Sequence, residues 1–271
     1  MDDPMAGAGS GRAIEQSRRH GVRDVQADAP LRWLTAGWRD LVRCPLPGLA
    51  HGLAMAVFGL VLAVFGHRQF WGLAGAISGF LIVAPILATG LYAISAALER
   101  GERPTLATAL AAWRPGAGRS RLILFGALLA LAGTGWVLTS ASLITTFAPG
   151  QIDEPIEFVR KVVLAEETLL FEAWLMLGGV LAAPVFASTV VAVPMLMDRP
   201  VGVLAAVLTS WRVVIAHPFT MAVWAATIAS LTIAGMLTAM LGLIVVVPWL
   251  GHASWHAYRD LVDAPARGDQ R

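Results

Sequence analysis

Charged residues are scarce in this chain: they make up 14% of its 271 residues, whereas hydrophobic residues make up 57%. An ordinary soluble domain contains about 25% charged residues. A single cysteine, Cys44, excludes an intrachain disulfide. Five long segments contain no Asp, Glu, Lys or Arg, and they are Leu49–Phe65, Phe70–Leu98, Leu122–Ile152, Ala173–Met197 and Val213–Tyr258. This distribution excludes an ordinary soluble domain and indicates a multi-span membrane protein.

The lengths of these segments predict six spans. A spanning helix needs about 20 apolar residues, so each of the first four segments fits one span. The last segment, Val213–Tyr258, has 46 residues. As one helix it would be roughly 69 Å long, against a hydrocarbon core about 30 Å thick. We therefore expect two spans there, joined by a tight turn near Leu237–Gly242. The predicted fold class is all-α, a polytopic membrane bundle of six transmembrane helices.

The arginines predict the orientation, because Lys and Arg near span ends stay on the cytoplasmic side. With six spans both termini lie on one side, and that side carries seventeen of the twenty basic residues. The opposite side carries Arg68, Arg160 and Lys161. Nineteen arginines against one lysine favour a bacterial source with a GC-rich genome. We therefore predict a protein of the bacterial inner membrane with both termini in the cytoplasm.

Short amphipathic segments precede the spans on the predicted cytoplasmic side. In Leu31–Arg43 the apolar residues recur with a helical period, and they are Leu31, Leu34, Trp38, Leu41 and Val42. Similar segments follow Arg103-Pro104 and Arg199-Pro200. We predict three cytoplasmic interfacial helices. Residues 1–28 are predicted to be a disordered N-terminal tail and residues 263–271 a C-terminal tail.

The same order recurs three times: a surface helix, a span, and a second span that contains proline. The predicted units cover about residues 30–98, 103–197 and 199–258 of a membrane domain over 29–262. Each unit begins on the same side, so the units would be parallel, hairpin-like repeats. The second spans carry Pro85, Pro194 and Pro248, where the missing backbone donor is expected to kink the helix. Such kinks either serve packing or, as in transporters, expose carbonyls to an ion or substrate.

Four histidines are predicted to lie at one depth, close to the cytoplasmic surface. His252 and His256 are four residues apart and share a helix face, while His51 and His217 begin two other spans. Imidazoles placed in this way could ligate zinc, copper or haem iron. Histidines also lie at membrane interfaces without a metal, and the Glu of zinc proteases does not follow His252. We expect no cofactor. The alternative is a metal ion or haem bound by these four histidines.

Arginine follows tryptophan in each predicted surface helix, at Arg39, Arg114 and Arg212. Trp prefers the membrane interface and Arg reaches toward phosphates, so simple anchoring explains the pattern. If the three units surround an axis, the three guanidiniums would instead form one headgroup site. The predicted partners are the lipid bilayer and anionic lipid headgroups. No nucleic-acid motif is present, and the sequence indicates no particular protein partner.

Catalytic patterns are not apparent in the sequence, which argues against an enzyme. No charged residue lies in the core of a predicted span, and this argues against proton-coupled transport through a carboxylate relay. We predict a non-enzymatic membrane protein, either a transport component or a factor that organises lipids or proteins. A metal- or haem-binding membrane protein that uses the histidines is the alternative.

Several longer motifs carry a resemblance to a known family. They are GWRDL at Gly37–Leu41, SGFLIVAPILATGLY at Ser78–Tyr92, LERGE at Leu98–Glu102, VPMLMDR at Val193–Arg199 and PWLGHASWHAYRDL at Pro248–Leu261. Over about Pro30–Val262 the chain resembles the domain-of-unknown-function 2189 family of bacterial integral membrane proteins. The resemblance implies an inner-membrane protein with about six spans, and it implies no particular activity.

Overall fold

The computed structural model describes residues 4–66, 70–113, 117–165 and 169–263. In these ranges the chain forms α-helices and one π-helical turn, Val159–Val163, so the all-α fold class is confirmed. The helices are α1 (Pro4–Arg18), α2 (Ala29–Arg43), α3 (Pro45–Gly66), α4 (Phe70–Leu87), α5 (Thr89–Glu99), α6 (Leu106–Ala111), α7 (Ala117–Phe147), α8 (Pro155–Phe158), α9 (Leu170–Thr189), α10 (Ala192–Asp198), α11 (Val203–Ala216), α12 (Pro218–Leu237) and α13 (Leu243–Leu261).

Four helical segments are long and apolar enough to cross a membrane, and they are Pro45–Val64, Arg119–Phe147, Leu170–Asp198 and Pro218–Leu237. A fifth candidate is bent by 45° between Trp71–Phe80 and Ala84–Glu99. Less than half of the most apolar stretch of each of the four is buried inside the protein, which suits lipid contact. The sequence predicts a sixth span in α13, but α13 is largely buried and is not among these candidates.

Helix α13 is central to the packing and contacts α2, α3 and α5. Its Trp255 and Tyr258 are fully buried, as are Trp33 of α2 and Trp224 of α12. The rings of Trp33 and Trp224 meet edge to face at 5.5 Å, a favourable aromatic geometry. These large side chains form the main apolar core, and they lie toward the end of the bundle where α2 and α13 meet.

Glycines bring the neighbouring backbones very close to α13. A Cβ atom on Gly37 of α2 would lie 2.5 Å from the backbone nitrogen of Ala253, and one on Gly52 of α3 would overlap the carbonyl of Ile244. Only glycine leaves room for these approaches. As a result α2 and α3 contact α13 through backbone as well as side chains.

The predicted turn near Leu237–Gly242 is confirmed, because α12 ends at Leu237 and α13 begins at Leu243. Ala239 and Met240 have positive φ angles of 52° and 67° in this turn. The turn reverses the chain and returns α13 toward α2, which it contacts extensively.

The three prolines predicted to kink helices behave differently. Pro85 lies at the bend between the two parts of the fifth candidate span. Pro194 lies in α10 directly after a break at Val191, whose backbone N–H donates to Oγ of Ser210 at 3.1 Å instead of to its own helix. Helix α13, in contrast, continues without a break through Pro248. The proline effect on helix continuity is therefore present at Pro85 and Pro194.

The predicted surface segments are helices α2, α6 and α11. In α2 the predicted apolar face is largely the exposed one, because Leu31, Trp38 and Val42 face outward. The face packed on α13 instead carries Trp33 and Gly37. The physical reason is the glycine, which allows α13 to approach that face most closely.

The predicted disorder of residues 1–28 does not match the structure, in which Pro4–Arg18 forms α1 and packs against α11. Polar contacts help to hold this segment, and Val22 and Val25 also pack against the main apolar core. Arg212 donates to the carbonyl of Ser17 at 2.7 Å and to that of His20 at 3.1 Å. Val22 forms a single antiparallel bridge with Val262. We call residues 17–24 the N-terminal strap. The predicted C-terminal tail after Asp263 lies outside the described residues.

Candidate functional site

Four polar side chains from three helices are joined by hydrogen bonds where α2, α5 and α13 meet. Oδ2 of Asp40 is 2.8 Å from Nε2 of His256 and accepts a hydrogen bond from Oγ of Ser95, also at 2.8 Å. Oγ of Ser95 lies 2.8 Å from Nδ1 of His252. We call this connected set, His256, Asp40, Ser95 and His252, the polar chain.

Local features of each helix place these side chains together. His252 and His256 are four residues apart and therefore share one face of α13. Asp40 follows Gly37 by three residues, so it lies on the face of α2 that the glycine brings against α13. Ser95 lies on α5, which begins after the bend at Pro85 and contacts α13.

Exposure falls along the polar chain from one end to the other. The side chain of His256 is 21% exposed and that of Asp40 is 6% exposed. Ser95 and His252 are fully buried. The polar chain therefore leads from the protein surface into the interior.

The chemistry of the groups fixes which atoms donate. Burial alone would raise the pKa of Asp40, but hydrogen bonds from His256 and Ser95 outweigh it and hold the pKa below its ordinary value. Asp40 is therefore an ionised acceptor. Because the single hydroxyl proton of Ser95 goes to Asp40, Oγ of Ser95 accepts from Nδ1–H of His252. A neutral His252 then carries a bare acceptor at Nε2.

This Nε2 atom of His252 is buried and has no hydrogen-bond partner in the part of the chain that the structure describes. It faces α3, since a Cβ atom on Gly48 would lie 3.5 Å away. His51 lies one turn further along α3. A buried polar atom without a partner costs about 1–3 kcal/mol.

The other end of the polar chain opens on a surface pocket of about 320 Å³. The pocket is lined by Arg32, Trp33, Ala36, His256, Arg259 and Asp260. Nδ1 of His256 lies 3.9 Å from Oε1 of Glu99, whose second oxygen pairs with Nε of Arg259 at 3.2 Å. His256 is therefore placed between a buried carboxylate and charged groups that reach solvent.

The arrangement differs from a nucleophilic Ser-His-Asp site. In such a site the imidazole lies between the carboxylate and the hydroxyl, so that it can take the hydroxyl proton. Here the hydroxyl of Ser95 lies between the carboxylate of Asp40 and the imidazole of His252. Ser95 is also fully buried, so a substrate carbonyl has no access to it. The geometry favours proton movement over bond cleavage.

The four histidines predicted as metal ligands are only partly brought together. His252 and His256 both belong to the polar chain, whereas Nε2 of His217 donates to the carbonyl of Arg23 at 3.0 Å. His51 lies on α3 near the buried end. Within the described ranges no three His, Cys, Asp or Glu side chains are arranged to hold a metal ion. The nearest neighbours of the two central imidazoles are a carboxylate and a hydroxyl of the protein itself.

The three arginines predicted as a joint headgroup site have different surroundings. Arg39 is exposed on α2. The guanidinium of Arg212 donates to the carbonyls of Ser17 and His20 in the N-terminal strap. Arg114 lies outside the described residues. Of the predicted set, Arg39 is the one seen to be available to a headgroup.

Asp40 and Ser95 are functional candidates that sequence reasoning missed. Asp40 lies outside the predicted spans, and Ser95 lies within the predicted span Phe70–Leu98 as an uncharged residue. One signal was present, because Asp40 follows Trp33 by seven residues and Gly37 by three, and so shares their helix face. An aspartate on the same face as a buried tryptophan and a glycine indicates a buried, partnered carboxylate.

Comparison with known proteins found a family model that matches part of the chain. No curated protein and no solved structure matches the chain significantly. A family model described as a predicted integral membrane protein matches residues 73–198. This range extends from α4 to α10 and includes Ser95, while Asp40 and the two histidines of the polar chain lie outside it. Over residues 73–198 the chain is similar to the domain-of-unknown-function 2189 family of predicted integral membrane proteins, whose model it matches there.

Proposed function

We propose that this chain is a non-enzymatic transport component of the bacterial inner membrane, in which the polar chain accepts and passes on protons. The observation that carries the proposal is the unbroken series of hydrogen bonds between partly exposed His256 and the bare, buried nitrogen of His252. Ionisable groups inside membrane proteins commonly mark proton or ion pathways.

Each proton movement follows from the donors and acceptors. A proton that binds Nε2 of His252 allows Nδ1 to release its own proton to Oγ of Ser95. Ser95 passes its hydroxyl proton to Oδ2 of Asp40, so the serine ends as it began. The Nε2–H bond forms, the Nδ1–H bond breaks, and the carboxylate of Asp40 is neutralised. Asp40 then releases the proton to Nε2 of His256 when that nitrogen carries no proton of its own.

Because the sequence has no charged residue in the core of a predicted span, it argues against a carboxylate relay within the spans. The carboxylate of the polar chain comes instead from α2, a predicted surface helix, and reaches Ser95 because Gly37 allows α2 to approach α13 closely.

The proposed topology has both termini in the cytoplasm and six spans in three units, with α13 as the sixth span. Two features support it. The arginines are concentrated on the side that carries α2 and the end of α13. The turn after α12 returns the chain to α2. In this topology the pocket at His256 opens toward the cytoplasm.

Proton flux into vesicles tests the proposal. The purified protein is reconstituted into liposomes that contain the pH dye pyranine, and a potassium gradient with valinomycin drives proton entry. We expect internal acidification faster than in protein-free liposomes. Ser95→Ala removes the bridging hydroxyl with little change in volume, so it should reduce the rate to that of protein-free liposomes.

Ser254→Ala is the matched control, because Oγ of Ser254 donates to Leu250 within the same helix and lies outside the polar chain. Its flux should equal that of the wild type. Circular dichroism and size-exclusion profiles establish that all variants are folded. Wild-type flux at the protein-free rate would refute the proposal, as would full flux in Ser95→Ala.

A further inference from the structure

Helix α2 exposes a stripe of large apolar side chains. Leu31, Trp38 and Val42 are 67%, 45% and 61% exposed, and their spacing places them on one face. Leu46, just beyond the helix, is also exposed. Trp38 is held in place by the edge of Trp249, with ring centroids 5.4 Å apart. A contiguous apolar stripe of this kind indicates a surface that is covered by something other than water.

Basic side chains border this stripe along one side. Arg32, Arg39 and Arg43 lie about 80–120° around the helix from Leu31, at 100° per residue. Arg32 is paired with Asp28 and Asp260. Arg39 and Arg43 are exposed, and neither has a hydrogen bond or ion pair with any residue that the structure describes.

On α2 itself no exposed acidic side chain offsets the positive charge of Arg39 and Arg43. Between Ala29 and Gly48 the only acidic residue is Asp40, and its carboxylate is buried in the polar chain. The exposed surface of α2 therefore carries apolar and cationic side chains and no acidic one. An anionic surface with an apolar layer beneath it is the complementary partner.

The position of α2 selects a lipid leaflet as that partner. The helix ends at Arg43, and the candidate span Pro45–Val64 begins two residues later. The C-terminal end of α2 must therefore lie at the membrane boundary. Tryptophan and arginine at such a boundary lie at headgroup depth, with arginine extended toward phosphate.

We propose that α2 lies in the membrane interface, with Leu31, Trp38 and Val42 in the acyl region and Arg39 and Arg43 bound to phosphates of anionic phospholipids. This surface is separate from the polar chain, so the proposal does not depend on proton transfer. It assigns the lipid contact to two neighbouring arginines of one helix rather than to one arginine from each predicted unit.

Native mass spectrometry in mild detergent tests the headgroup contact. The protein is offered equal amounts of phosphatidylglycerol and phosphatidylcholine, and we expect retention of phosphatidylglycerol. The variant Arg39→Gln/Arg43→Gln should lower this retention on the order of tenfold, as expected for two basic residues near an anionic surface. Arg18→Gln/Arg160→Gln removes the same charge from exposed positions outside α2 and should retain lipid like the wild type. Equal retention in both double variants would overturn the proposal.

A fluorophore at position 31 tests the apolar contact. Leu31→Cys in a Cys44→Ser background is labelled with a nitrobenzoxadiazole dye and placed in nanodiscs that contain doxyl-labelled lipids. Quenching by the acyl-chain doxyl group is expected. A dye that is not quenched would show that the stripe is covered by protein or exposed to water, and the proposal would fail.

Discussion

Nε2 of His256 lies 2.8 Å from Oδ2 of Asp40, although 216 residues separate them in the sequence. The contact links the first surface helix to the last helix of the structure. It also places a buried carboxylate next to a partly exposed imidazole. This pair joins the fold and the candidate site, because the same atoms hold α2 on α13 and begin the polar chain.

Replacing Asp40 should destabilise the protein. In Asp40→Asn the charge that attracts the hydrogen bonds of His256 and Ser95 is lost, and the amide cannot accept both in the same way. Loss of a buried partner costs about 1–3 kcal/mol, which corresponds to about 2–4 °C in Tm per kcal/mol for a chain of this size. Thermal melts in detergent, followed by tryptophan fluorescence, measure the change. Asp24→Asn at an exposed position is the control, and an equal Tm in the two variants would contradict the expectation.

The stabilisation by Asp40 should disappear in acid. The pKa of Asp40 in the folded protein is below its ordinary value of 3.8, so the unfolded chain binds the proton first. The stabilisation is therefore complete above about pH 4 and is lost as the pH falls through the lowered pKa. Melts of the wild type and Asp40→Asn between pH 7 and pH 3 should show a Tm difference that becomes smaller at the acidic end, below the ordinary pKa of 3.8. A difference that is the same at pH 7 and pH 3 would show that the charge of Asp40 is not its source.

The sequence predicts the helices and the turn well because those features depend on local properties. Apolar length indicates the candidate spans, and helical period indicates α2 and α11. The position of Asp40 depends instead on which face of α2 packs against α13. Periodicity identifies the faces of a helix, but the choice between them follows from the contact of Gly37 with Ala253, which is 216 residues away in the chain.

The same reason explains why the sequence does not indicate the order at the N-terminus or the hydrogen-bond partners of the histidines. The N-terminal strap is polar, and its order comes from Arg212 and Arg199, which local composition does not reveal. The pairing of His252 and His256 on one face was predictable from their spacing. Their hydrogen bonds to Ser95 and Asp40 were not, because those residues come from other helices.

Gly37→Ala should weaken the packing of α2 on α13. A methyl group there would lie 2.5 Å from the backbone nitrogen of Ala253, so one helix must move. Overpacking of this kind costs about 1–3 kcal/mol. Gly79→Ala in α4 is the matched control, because its added methyl group meets nothing within 4 Å and alanine favours the helix. We expect a lower Tm for Gly37→Ala and an equal or higher Tm for Gly79→Ala. A Gly37→Ala protein as stable as the wild type would contradict the close approach.

The N-terminal strap should open in acid because of His20. Nδ1 of His20 accepts a hydrogen bond from Arg199 at 2.9 Å, and the ring is largely buried. Burial, followed by the charges of Arg199 and Arg212, lowers the pKa of His20 below its ordinary value of 6.5. The unfolded strap therefore binds the proton first, so its docking is complete above about pH 6.5 and is lost as the pH falls through the lowered pKa.

Hydrogen exchange of the N-terminal strap, corrected for the intrinsic effect of pH on exchange, measures this opening. Other charged groups near the strap are already paired: Arg23 with Asp263 at 3.0 Å, Arg19 with Glu15 at 3.1 Å and Arg199 with Asp198 at 3.5 Å. Protonation of His20 therefore adds a positive charge opposite Arg199 and Arg212. We expect protection at pH 8 and faster exchange at pH 5. His20→Asn keeps an acceptor for Arg199 but does not titrate, so its exchange should not change between these pH values. Equal acid-induced exchange in His20→Asn would assign the opening to another group.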